Sequence, residues 1–201
     1  MATEPYDYTD APPPRAPDLI PEGTTATVSM HIHAGGIGED GLFKRSEKGD
    51  CEGLYIEFIV IDGPYKGRKF RDHFMLLSGT TDGQKSMADT NRFILKAILD
   101  SALGLDPNDK GAEARAARTV STKQFQGMLF MAKIGIEKGG PNKKDGGFWP
   151  DKNCLAGVIT KDKKDWHPVE QPPPFNGGGR RAQAAAPANT AAPVARPGWA
   201  Q

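Results

Sequence analysis

Between residues 24 and 160 the spacing of apolar residues changes in a set order: three alternating runs, one helical run, then two more alternating runs. That order restricts the fold more than any bulk property does. A period of two marks a strand with one buried face, and a period near 3.6 marks a helix with one buried stripe.

The first run spans Ala26–His33. Ala26, Val28, Met30 and Ile32 fall on one side; Thr27, Ser29, His31 and His33 fall on the other. The second, Leu54–Ile61, sets Leu54, Ile56, Phe58 and Val60 in phase. Asp62-Gly63-Pro64-Tyr65-Lys66-Gly67 then predicts a hairpin into a third strand at 68–77. There Phe70, Phe74 and Leu76 form the core phase, and Lys69, Arg71, His73 and Met75 form the outer one. Ser86-Met87-Ala88-Asp89 reads as a capping box opening a helix. Its stripe is Met87, Thr90, Asn91, Ile94, Ala97, Ile98 and Ala102, widened by Phe93 and Leu95, and Gly104 stops it. Residues 108–120 suggest a short second helix. Strands at 127–137 and 153–160 close the series. The predicted fold is mainly β: a five-stranded barrel of the oligonucleotide/oligosaccharide-binding (OB) type, with one helix between strands 3 and 4.

Composition sets the domain limits. Residues 1–23 are Pro-rich, with Arg15 against Glu4, Asp7, Asp10, Asp18 and Glu22. Residues 167–201 are rich in Pro, Ala and Gly. Neither segment carries enough apolar surface to offset the entropy of ordering, so both are expected to be disordered tails around a 24–166 domain. The whole chain carries +1, and the first segment −4 and the last +2 leave the centre at +3. Cys51 and Cys154 suit free thiols in a reducing compartment. No signal peptide or membrane span is read, so a cytoplasmic location is expected.

Two Gly- and Lys-rich loops carry the candidate chemistry. The loop at 35–50 holds Phe43, Lys44, Arg45 and Lys48; that at 138–152 holds Lys138, Lys143, Lys144, Phe148, Trp149 and Lys152. In an OB barrel they join strands 1–2 and 4–5 and border the ligand surface. Tyr55, Lys69, Arg71 and His73 add an outward strand face, with Glu57 among them. Cations that follow phosphates and rings that stack bases are the equipment of single-strand binding. The plainer alternative is solvated loops, with Phe148 and Trp149 packed beneath theirs and Tyr55 in cross-strand packing. His31 and His33 share a strand face but lack further ligands, so no metal is expected. No P-loop, nucleophile elbow or acidic nuclease cluster occurs, so neither an enzyme nor a cofactor is expected.

Leu19-Ile20-Pro21-Glu22-Gly23, then Asp62-Gly63-Pro64-Tyr65-Lys66-Gly67-Arg68, then Trp149-Pro150-Asp151-Lys152-Asn153 resembles an uncharacterised phage and prophage family. Members of that family are similar to single-stranded DNA-binding proteins. The likeness covers about residues 19–165. It implies an OB-like fold, single-strand binding and a place in replication or recombination. It assigns no binding residue. Bacterial housekeeping single-strand binders end in an acidic tail tipped by Phe, whereas this chain ends Arg196-Pro197-Gly198-Trp199-Ala200-Gln201. The expected partners are single-stranded DNA and replication or recombination proteins, with self-association open and no membrane. The alternative is an OB-like adaptor that binds protein in such a complex.

Overall fold

The computed structural model describes residues 18–71, 74–142 and 146–171. Within them lie seven strands: β1 (Thr25–His33), β2 (Lys44–Arg45), β3 (Cys51–Val60), β4 (Lys69–Arg71), β5 (Met75–Gly79), β6 (Leu129–Glu137) and β7 (Lys152–Val158). Helix α1 (Asp82–Leu103) stands between β5 and β6, followed by the short α2 (Ala112–Ala117) and a 3-10 turn at Thr122–Phe125.

All pairings are antiparallel, and the sheet runs β2-β3-β1-β6-β7, with β4 and β5 also on β3. The fold is therefore mainly β and one open sheet. β4 and β7 approach within 8 Å between Cα atoms, yet no ladder joins them.

The alternating residues of the first two predicted strands build the core. Val28, Met30, Leu54, Ile56, Phe58 and Val60 are buried, and Phe58 meets Phe70 at 5.3 Å and Phe130 edge-on at 5.8 Å between ring centroids. The predicted third strand is interrupted. Phe70 is registered on Phe58, but Met75 is registered on Leu54 and is buried. Two core positions five residues apart cannot share one unbroken alternation. The break restarts the pattern out of step, so Met75 turns inward and Phe74 turns out to Tyr55, contrary to the expectation. Thr27 and Ser29, read as exposed, are buried. Thr27 donates its hydroxyl to Asp62 (2.5 Å), whose other oxygen accepts the Thr27 amide, and it also lies against Met131 Sδ.

The cap of helix α1 is Thr81, five residues before the predicted Ser86. Thr81 Oγ1 accepts the Gln84 amide, and Gln84 Oε1 accepts the Thr81 amide, a reciprocal capping box. Ser86 and Asp89 lie inside the helix, where Asp89 pairs with Arg92 at 2.9 Å. The buried side is Ala88, Ile98, Leu99 and Ala102; Met87 and Phe93 are exposed, unlike the predicted stripe. Gly104 ends the helix at φ 64, and a Cβ there would crowd the Trp166 ring at 3.2 Å. Glycine is needed there on both counts.

Four polar residues fix the periphery. Asp100, fully buried, takes Lys96 at 2.7 Å and Arg118 at 2.6 Å, and Arg118 also reaches the Asp106 carbonyl. This holds residues 105–120 against α1. Ser101 accepts the Met131 amide and donates to the Ile159 carbonyl at 2.7 Å, splicing a helix side chain into the β6–β7 edge. Asn153 bonds both the amide and the carbonyl of Ile20, at 2.9 and 2.8 Å, and so replaces a missing strand partner. Gln171 likewise bonds the amide and the carbonyl of Leu129. Ile20 is buried in the core, so the packed body begins ahead of Gly23 and reaches Gln171. The tail expectation for 1–17 and 172–201 falls outside the described residues.

No helix among the described residues is long and apolar enough to cross a membrane. Asn153→Ala should lower stability by about 2–4 kcal/mol, because two buried backbone groups of Ile20 lose their partners together. Urea unfolding of the full chain measures this, and a midpoint equal to that of the parent protein would remove the seam from the stability argument.

Candidate nucleic-acid interface

Three regions carry the predicted site residues, and β1 positions them. The loop at 35–50 leaves the His33 end of β1. β6 runs antiparallel to β1, with Lys133 opposite Thr25, so the 138–152 hairpin projects past the other end. Nine strand residues, about 30 Å at the usual rise, separate the two loops. The face of β3 and β4 lies between them.

The first loop is a folded hairpin. Ile37 and Phe43 exchange backbone bonds (3.0 and 3.1 Å), and β2 pairs Lys44 with Gly53 and Arg45 with Glu52. Phe43 is half-buried and packs against the core. Arg45 is held by Glu52 at 2.6 Å. Lys44 and Lys48 are exposed, and Lys44 Nζ sits 4.7 Å from the centre of the Tyr55 ring. Asp50 is tied to Ser46 and to Gln84 of the α1 cap, and these two bonds hold its carboxyl below the usual range. The cap that starts the helix thus also anchors the loop.

On the strand face, Tyr55 is 43% exposed and lies opposite His33. Phe74 tilts against it at 5.7 Å. Lys44, Tyr55 and Phe74 therefore form one cation–aromatic cluster drawn from three segments. Glu57, read as part of the outward face, is instead buried and pairs with Lys69 at 3.2 Å. Arg71 is registered opposite Glu57. His73 lies outside the described residues.

The second loop is a two-stranded ribbon that prolongs β6 and β7. Gly140 and Trp149 exchange backbone bonds at 3.1 and 2.7 Å, and Pro141 bridges Phe148. A Cβ on Gly139 would stand 1.8 Å from the Trp149 carbonyl oxygen, so only glycine allows this approach. Phe148 and Trp149 are 71% and 59% exposed; they do not pack beneath the loop. As neighbours in an extended ribbon they point to opposite faces. Lys138 pairs with Asp151 (2.8 Å) and Lys152 with Glu137 (3.2 Å). Lys143 and Lys144 lie outside the described residues.

Sequence reasoning missed Phe74, which only the strand break turns outward. It also missed the Gln84–Asp50 link, whose partners lie 34 residues apart. Among the described residues no group of three or more His, Cys, Asp or Glu could hold a metal ion. No protein-family model, curated protein or solved structure matches this chain.

Asp151 gives the ribbon a pH dependence. The Lys138 ammonium and the Gly139 amide both bond its carboxylate and hold its pKa down. A depressed folded value means the contribution is complete above the free value of about 3.9. It is lost as pH falls through the lower folded value. The Gly139 amide resonance should therefore shift as pH drops below about 4, and Asp151→Asn should abolish the shift. A flat Gly139 titration from neutral to acid in the parent protein would contradict this.

Proposed function

We propose that the protein binds single-stranded DNA, as a phage-type single-strand binder acting in replication or recombination in the cytoplasm of a bacterial host. The observation that carries this reading is the exposure of Tyr55, Phe148 and Trp149 on a face and ribbon that also present Lys44, Lys48 and Lys69. Exposed rings beside cations suit bases and phosphates of a single strand.

The sheet supports the same reading. Taking β4 and β5 as one interrupted strand and β2 as a local addition, the five principal strands pair in the order third, second, first, fourth, fifth. That is the strand adjacency of an OB barrel, with the helix between its third and fourth strands. The near approach of β4 and β7 is where such a barrel closes. Binding is sequence-tolerant, because every base has a face to stack. It weakens with salt as counterion release loses its advantage. The protein works by binding rather than catalysis, without a cofactor.

A second reading has its own observation. Met87 and Phe93 are exposed large apolar side chains on α1. An OB-like adaptor would use such exposed apolar side chains for a protein of the same complex.

Tryptophan fluorescence during oligo-dT titration separates the two. Quenching that is lost in high salt supports single-strand binding; no response supports the adaptor. Trp149→Ala should cost about 1–3 kcal/mol of binding. Lys143→Ala with Lys144→Ala should make the affinity less steeply salt-dependent, by roughly 0.7 in log–log slope for each phosphate no longer neutralised. If both variants match the parent in a gel-shift titration, the ribbon is not part of the site.

A further inference from the structure

The geometry points to residues 1–17 as a built-in competitor of the single strand, docking on the same surface. This inference rests on the single-strand reading above. It starts from where the chain enters the fold. Arg68 donates to the Asp18 carbonyl, and Asn153 clamps Ile20. Arg68 directly precedes Lys69 of β4, and Asn153 directly follows Lys152 at the foot of the ribbon. The segment therefore joins the body beside the β4–β7 seam, between the strand face and the ribbon that carries Trp149.

Its chemistry is that of the proposed ligand. Residues 1–17 hold Glu4, Asp7 and Asp10 against Arg15, a net of −2. Tyr6-Asp7-Tyr8 sets ring, carboxylate and ring in succession, the alternation of base, phosphate and base. The surface offers exposed Lys44, Lys48 and Lys69, with the Tyr55 and Trp149 rings. Seventeen residues span at most about 60 Å when extended, twice the distance between the two loops. A tethered segment acts at an effective concentration in the millimolar range, so weak affinity suffices. Its charge-driven part is screened by salt.

The test uses the full chain. Glu4→Gln, Asp7→Asn and Asp10→Asn together should tighten oligo-dT binding about fivefold at low salt, with the gap closing as salt rises. A synthetic peptide of residues 1–17, added to this triple variant, should weaken oligo-dT binding and shift tryptophan emission. The emission shift should vanish when Trp149→Phe is added. Equal oligo-dT affinities for the parent and the triple variant would overturn the competitor while leaving the single-strand reading intact. If no form binds oligo-dT but the peptide still shifts Trp149, the docking surface stands and the single-strand reading fails. If neither ligand gives a response, both fall.

Discussion

Strand β3 is the constraint on which the rest of the sheet depends. Its ten residues meet four other strands: β1 and β4 beside residues 55–60, β2 and β5 beside residues 51–54. Phe58 fills the centre of its buried face. Tyr55 marks the opposite face near the point where the partners change over. Because a strand alternates its side chains, setting Phe58 inward leaves Tyr55 outward. The candidate site is thus an obligatory by-product of the core's register. A one-residue slip of β3 would bury the tyrosine and expose the phenylalanine together.

Around this hub the structure meets backbone needs with side chains. Asn153 and Gln171 each present an amide as a substitute peptide, to the backbone of Ile20 and of Leu129 respectively. Asp100 holds two cations and, through them, the connection between α1 and β6. Every buried side-chain nitrogen or oxygen among the described residues has a hydrogen-bond partner. These devices let Leu19–Thr24 and the stretch up to Gln171 join the body without adding regular strands.

Much of this was legible from local pattern. The alternation of Val28, Met30 and Ile32, and of Leu54, Ile56 and Phe58, needs only a strand and a core, and both runs fold as their spacing indicates. Gly104 was legible as a helix stop because left-handed backbone favours glycine. What escaped depends on distant partners. Thr27 looks like part of an outer face until Asp62 and Met131 arrive. The phase change between Phe70 and Met75 has no marker in the residue pattern, and it decides that Phe74 joins Tyr55. The true helix cap was hidden because Thr81-Asp82-Gly83-Gln84 contains no apolar residue to announce a helix. In the candidate site, Tyr55 was legible as an outward ring, and its exposure agrees with that reading. That Lys44 lies over Tyr55, while Arg45 is consumed by Glu52, follows from the β2–β3 pairing alone.

Ser101 gives the assembly an internal gauge. Its hydroxyl occupies the place of a direct bond at the end of the β6–β7 edge, donating to one strand and accepting from the other. That edge is complete only while α1 is seated. The Met131 amide depends on a helix residue rather than on a neighbouring strand. Its hydrogen exchange therefore reports the docking of α1, even when both strands remain paired along the rest of their length.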